Sequence, residues 1–211
     1  MPPVLRPFLL AAPAAVILGL AAQAQAQPQA PANPDPAAVQ GGTYAVEPNH
    51  TRVLFSVSHM GFTTYFGGFT GASGTLRLDP RDPAASEISV SVPTASVTTT
   101  NAKLDGELKG ADWLDAARYP AITFRSTKIT PTGPRTAEVA GDLTLHGVTR
   151  PVVLQARFNA AGVNPLDKAY TAGFEVTGAI RRSDFGVKTY VPLIGDDVTL
   201  TISSAFERAP A

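Results

Sequence analysis

The sequence predicts an all-β protein, an antiparallel barrel of about eight strands with one or two short helices between strands. Apolar residues recur at every second position over short segments, which is typical of strands with one buried face. Turn-forming residues separate these segments, for example at Asp79-Pro80 and Gly195-Asp196-Asp197. No crossover-helix pattern recurs between them, which disfavours a parallel sheet. Closure into a barrel would remove the exposed edges of such a meander.

Six segments show the alternation most clearly. Because successive side chains of a strand point to opposite faces, the apolar phase of each segment should face the core. The residues in the apolar phase are Val53, Phe55 and Val57; Ile88, Val90 and Val92; Ile122 and Phe124; Val139, Leu143 and Leu145; Phe174 and Val176; and Val198, Leu200 and Ile202.

One segment, residues 101–118, departs from the two-residue period. Leu104 and Leu108 are four residues apart, as on one face of a helix, and Asn101 precedes them as a candidate N-cap. Gly106 and Gly110 disfavour a long helix. The segment therefore predicts one or two short helices.

The N-terminus resembles an export signal. Residues 1–26 contain Arg6, then a short apolar stretch, then Ala22-Gln23-Ala24 and Ala24-Gln25-Ala26, either of which fits a cleavage site. Residues 27–42 are rich in Pro, Ala and Gln and predict a disordered leader. We expect one folded domain, over residues 43–208, in an exported chain.

The composition excludes several classes of function. Basic and acidic residues number 17 each, so no basic surface suited to nucleic acid is expected. Cysteine is absent, which excludes thiolate metal sites and cysteine nucleophiles. His50 and His59 lie in opposite strand phases, so no metal site is expected. Ser183 beside Asp184 lacks the glycine elbow of a hydrolase, and we expect no catalytic residues and no cofactor.

Four passages in order resemble the YceI-like family of periplasmic proteins, over about residues 43–207. They are Arg52 to Gly61 followed by Gly67-Gly68-Phe69; Ala111 to Asp115 running into Tyr119 to Thr127; Gly141 to Val152, the most specific; and Arg182 to Val187. The resemblance implies a lipocalin-like barrel associated with polyisoprenoid binding. Glu107 and Trp113-Leu114 differ from the residues usual in the family, and this difference bears on which lipid fits.

This resemblance implies that an apolar, isoprenoid-type lipid is bound, transported or stored in the barrel. Fatty acids or fatty amides are the alternative ligands, and a stress-related surface protein with a filled barrel is the alternative function. A transient membrane contact and a homodimer are both compatible with such a carrier. The candidate ligand-binding residues are the inward phase, with His59 as a polar group at the mouth and Trp113 in a lid: Val53, Phe55, Val57, His59, Phe66, Phe69, Ile88, Val90, Trp113, Ile122, Phe124, Phe174 and Leu200. Arg181 or Arg182, with Lys188, could contact an anionic head group.

Overall fold

Alternating apolar residues form nine antiparallel strands within residues 31–209, the part of the chain that the computed structural model describes. The predicted signal segment, residues 1–26, lies outside this part. One α-helix, α1, spans Ala102–Lys109. The strands are β1 Gly42–His59, β2 Thr63–Phe69, β3 Ser73–Leu78, β4 Glu87–Pro93, β5 Ala121–Gly133, β6 Thr136–Leu145, β7 Val148–Val163, β8 Tyr170–Arg181 and β9 Ile194–Arg208.

Strand β1 closes the sheet into a barrel. Its first half pairs with β3, its second half pairs with β2, and along its length it also pairs with β9. The remaining strands pair in chain order from β3 to β9. Strands β2 and β3 thus occupy one position in the barrel, which is therefore eight-stranded, and the predicted fold is confirmed. We call the end where β1 begins the proximal end, and the end where it finishes the distal end.

The connection between β4 and β5 covers the free edge of β2. Backbone groups of Gly68 and Thr98 exchange two hydrogen bonds of 2.9 Å, and α1 follows directly. The Asn101 side chain accepts from the backbone N–H groups of Lys103 and Leu104, so the predicted N-cap is confirmed. Asp105 accepts from the N–H of Thr99 at 2.6 Å. These bonds hold the helix against the barrel edge.

The described part of the predicted disordered leader, residues 31–42, lies instead against the proximal end. Asn33 pairs with Ala161 as an isolated bridge, and Val39 belongs to the hydrophobic core. The Tyr44 hydroxyl donates to the carbonyl of Gln40, and burial, followed by the nearby Tyr170, raises the pKa of Tyr44 to about 12. Residues 31–42 thus make defined contacts where the composition predicted a disordered leader, because the Val39 side chain finds apolar partners.

Most members of the hydrophobic core cluster lie toward the proximal end. Phe174 is central to an aromatic cluster, with its ring centroid 5.5 Å from that of Phe158 and 5.9 Å from that of Phe206. Tyr44 and Ala172 are fully buried in the same core. In residues 31–209 no helix is long and apolar enough to cross a membrane.

Candidate functional site

The barrel interior holds a cavity of about 420 Å³, within the range of small-molecule sites. Its wall is almost wholly apolar and draws on every strand as well as on α1. An eight-stranded barrel is wide enough for either packed side chains or one small ligand. Here the inward side chains leave space, so the interior is not filled.

The strand phases predicted from the sequence point into this cavity. Its wall includes Val53, Phe55, Val57, Phe69, Ile88, Val90, Trp113, Ile122, Phe124, Phe174 and Leu200. They come from β1, β2, β4, β5, β8 and β9 and from the segment after α1. The structure therefore brings together the predicted ligand-binding residues apart from two.

Phe66 and His59 do not belong to the cavity wall. Phe66 pairs with Ser56, in the phase opposite to Phe55, and its side chain is 68% exposed on the outer face. Phe66 and Phe69 are an odd number of residues apart, so on one strand they cannot both point inward. His59 is the last residue of β1, with its ring 6.1 Å from that of Tyr65. Its register with β2 is unbroken, so it keeps the phase of Val57, but it lies at the distal end beyond the cavity wall.

Strand β7 also lines the cavity, although no β7 residue was predicted to bind ligand. Val152, Leu154, Ala156 and Phe158 alternate in period two and face inward. The two-residue period that predicted β1 also holds for this segment, so the sequence alone could have indicated that these β7 residues face inward. Pro36 and Val39 of the N-terminal segment also contribute to the wall, and no local pattern could have indicated that.

Glycines give the inward aromatic rings room against the wall. Phe55 lies directly opposite Gly67 on β2, and a Cβ built on Gly67 would stand 2.3 Å from the Phe55 Cζ. A distance that short is a clash, so a side chain at position 67 would displace the ring. The glycine allows Phe55 to lie along the wall.

At the distal end Trp113, Leu108 and Leu114 contribute to the cavity wall. Trp113 follows α1, and its ring centroid lies 6.2 Å from that of Tyr190. The Thr189 hydroxyl donates to the Asp112 carbonyl, which joins this segment to the loop before β9. Two loops that are distant in sequence therefore cover the cavity together.

Arg182 is the buried charged residue of this region, 5% exposed, and it also belongs to the cavity wall. Its guanidinium donates to the carbonyls of Gly195 at 2.8 Å, Val187 at 3.1 Å and Ile194 at 2.8 Å. The Arg182 Cζ lies 5.4 Å from the Trp113 ring centroid, a cation–π distance. Burial lowers the pKa of Arg182, yet an arginine remains charged near neutral pH.

Asp196 fixes the turn that carries Arg182. Its carboxylate accepts from the Ser183 hydroxyl at 2.7 Å and the Ser183 N–H at 2.9 Å, and it pairs with Arg181 at 3.0 Å. The Ser183 hydrogen bonds, followed by Arg181, hold the pKa of Asp196 below its usual value. Ser183 thus donates to a carboxylate that also pairs with Arg181.

The three histidines lie apart, each beside a local partner. His50 Nδ1 is 2.6 Å from Glu47 Oε2, and His146 Nδ1 is 3.3 Å from the Phe185 carbonyl. The His146 ring also packs edge-on against Tyr119 at 4.8 Å. Across residues 31–209, no three potential ligands among His, Asp and Glu converge as a metal site would require.

An exposed cluster of apolar side chains flanks the distal end. Met60 and Phe62 in the turn after β1 lie beside the loop before β9, since the Met60 N–H donates to the Leu193 carbonyl at 2.8 Å. Phe62 is 85% exposed and Tyr190 is 66% exposed. We call this the distal apolar patch, and it comprises Met60, Phe62, Tyr190, Val191 and Leu193.

Known proteins share this barrel. The family model described as the YceI-like domain matches residues 44–206. Protein YceI of Escherichia coli O157:H7 is 39% identical over 157 residues, covering 74% of this chain and 81% of that protein. The crystal structure of Burkholderia cenocepacia BcnA superposes with a TM-score of 0.69 at 25% identity, covering 76% of this chain and 98% of that one.

A polyisoprenoid binding domain from Saccharophagus degradans, implicated in plant cell wall breakdown, has the same fold. It superposes with a TM-score of 0.60 at 15% identity, covering 81% of this chain and all of that domain. The family match spans nearly the whole barrel, from β1 to β9. This chain belongs to the YceI-like family.

Proposed function

We propose that this protein is an exported, non-catalytic carrier or store of an isoprenoid-type lipid, which occupies the barrel interior. The observation that carries the proposal is the continuous apolar wall of the cavity, drawn from every strand. Burial of an apolar chain contributes about 0.8 kcal/mol per CH₂, so a five-carbon isoprene unit contributes about 4 kcal/mol before ordering costs. A few units suffice for tight binding without a metal or a reactive group.

Isoprenoids are the first ligand class to test because the structural neighbour from Saccharophagus degradans is described as a polyisoprenoid binding domain. Fatty acids and fatty amides form the second class, since their chains are also apolar and the cavity wall is almost wholly apolar. The alternative function, a surface protein with a filled barrel, is disfavoured by the cavity of about 420 Å³.

We further propose that the protein works in the periplasm and meets membranes transiently. The order of charged, apolar and small residues in segment 1–26 supports export. N-terminal sequencing of the protein from its own cells should find a start near Gln25 or Gln27, and a Met1 start in the membrane fraction would contradict export. The distal apolar patch supports membrane contact, because exposed aromatic and aliphatic groups insert readily at a bilayer surface.

Two measurements on the purified protein test the lipid-carrier function. Extraction with organic solvent followed by mass spectrometry should release a lipid in near-stoichiometric amount. The delipidated protein should then bind prenyl lipids saturably, with a change in fluorescence of Trp113, the single tryptophan of the chain. The absence of a saturable response to prenyl lipids, quinones and fatty acids alike would refute the proposal.

A further inference from the structure

The charged side chains in the cavity wall are all cationic. Arg135 contributes near the proximal end and Arg182 at the distal end, and no Asp or Glu belongs to the wall in residues 31–209. Arg135 is half-buried, and its guanidinium donates to the carbonyls of Phe158 and Asn159. The interior of the barrel is therefore apolar with positive charge near each end.

Arg182 is the more buried of these two arginines. Desolvating a guanidinium is costly unless a counter-charge or a full set of acceptors compensates it. In the described part of the chain no carboxylate lies within ion-pair distance of Arg182, and Asp196 is already bonded to Ser183 and Arg181. The charge is met directly by backbone carbonyls and the Trp113 ring, and at longer range by the Asp196 carboxylate, which makes no ion pair with Arg182.

The guanidinium also retains unused donors. Of its five N–H groups, three donate to the carbonyls of Gly195, Val187 and Ile194, and within residues 31–209 the other two have no acceptor. Both terminal nitrogens keep one such N–H, since each makes a single hydrogen bond. A free N–H on each terminal nitrogen leaves the guanidinium able to donate to oxygens of a carboxylate or phosphate.

We propose that Arg182, beside Trp113, binds the head group of the cargo lipid, and that this head group is an anion, a carboxylate or a phosphate. The proposal rests on the lipid-binding function proposed above and specifies its ligand. The tail then extends from Trp113 toward the proximal end, along the apolar wall that includes Val90, Phe124 and Leu200. A guanidinium that only anchors the loop before β9 would give no preference for charged lipids.

Matched pairs of lipids test the charge preference in the wild-type protein. Geranylgeranyl phosphate against geranylgeraniol, and palmitate against hexadecanol, should each differ by about tenfold or more in dissociation constant, in favour of the anion, because charge-assisted hydrogen bonds add to tail burial. The pair with the larger ratio identifies the head group as phosphate or carboxylate. Inorganic phosphate alone should not bind measurably.

The outcomes separate this inference from the carrier function. Equal affinity within each pair overturns the head-group assignment and leaves the carrier function standing. No saturable binding of any lipid overturns both. Binding of inorganic phosphate as tight as that of the lipid would assign Arg182 to a free anion and overturn the lipid head group.

Two arginine variants test whether Arg182 causes the preference for anionic over neutral lipids. Arg182→Gln should reduce the ratio within each pair to near one, whereas Arg181→Gln, which alters an exposed arginine paired with Asp196, should keep it. An unchanged ratio in a folded Arg182→Gln protein overturns the proposal.

The orientation of the lipid can be measured without any substitution, so the proposal stays testable if Arg182→Gln fails to fold. A nitroxide placed on stearic acid near its carboxylate should quench Trp113 more strongly than one placed near its methyl end. Equal quenching, or the reverse order, overturns the assignment of the head group to Arg182.

Discussion

The ring of Phe124 on β5 lies across Gly141 on β6, where a Cβ built on the glycine would stand 2.4 Å from the ring Cζ and 2.5 Å from the Arg125 carbonyl oxygen. The Phe124 side chain is 8% exposed and forms part of the cavity wall. Phe55 and Gly67 repeat the arrangement between β1 and β2. Two large rings thus line the interior because a neighbouring glycine lets each lie along the wall.

Gly141→Ala should therefore shift the Phe124 ring toward the cavity. We expect a loss of about 1–3 kcal/mol in the free energy of unfolding from overpacking. The narrower cavity should also lose more affinity for long lipids than for short ones. Chemical denaturation and Trp113 titrations with a series of chain lengths would measure the two effects. The matched control is Gly173→Ala on β8, whose Cβ would meet its closest neighbour, the Ala160 carbonyl oxygen, at an ordinary 3.8 Å. Equal effects of the two substitutions would contradict the packing argument.

Phe124→Ala should enlarge the cavity, whereas Gly141→Ala should narrow it. Removal of a buried phenylalanine should cost about 3–5 kcal/mol in the free energy of unfolding, less if ligand fills the space. The enlarged cavity should shift the preferred lipid toward longer or bulkier chains, measured by competition titrations on delipidated protein. Thr201→Ala, on the exposed face of β9, should leave the preference unchanged. A variant that lost stability without any change in lipid preference would place Phe124 outside the binding site.

The strand phases could be read from the sequence because a period of two is local information. Val53, Phe55 and Val57 share a face whatever their partners are, and the structure places all three in the cavity wall. Phe66 lies outside the wall, as its odd spacing from Phe69 requires on a regular strand. His59 shares the phase of Val57 and lies outside the cavity wall because β1 ends there, a boundary that the two-residue period does not give.

The polar part of the site depends on contacts between distant segments. Arg182 meets Trp113 across about seventy positions of sequence, and its acceptors are Val187 in the loop before β9 and Ile194 and Gly195 at the start of β9. The sequence showed Arg181 and Arg182 as equivalent neighbours. Only the fold separates them, since Arg181 is exposed beside Asp196 while Arg182 is buried in the wall.

Asp196 should make the protein less stable at acidic pH. The Ser183 hydrogen bonds, followed by Arg181, lower the pKa of the folded-state carboxyl below that of the unfolded chain, which is about 4. The stabilisation is fully present above that value and is lost as the pH falls through the folded-state pKa. Asp196→Asn should lower the melting temperature at neutral pH and flatten its decline below about pH 4.

The control for Asp196 is Asp197→Asn, its exposed neighbour on β9. This substitution should leave the acid limb of the stability curve close to that of the wild type. An Asp196→Asn protein with the wild-type melting temperature at neutral pH and the wild-type acid limb would show that the Ser183 and Arg181 contacts contribute nothing to stability.

The distal apolar patch should mediate contact with lipid bilayers. Phe62 is 85% exposed at the end of the barrel where Trp113 and Arg182 belong to the cavity wall, so a lipid leaving a bilayer there would stay in apolar surroundings. Phe62→Ser should weaken association with phosphatidylethanolamine–phosphatidylglycerol vesicles and slow the transfer of a fluorescent lipid, while the melting temperature stays unchanged. Leu166→Ser is the matched control, because Leu166 is 90% exposed at the opposite, proximal end. Equal losses of vesicle binding in the two variants would refute a role for this patch, and a concentration-dependent dimer that only Phe62→Ser disrupts would assign the patch to a second copy of the chain.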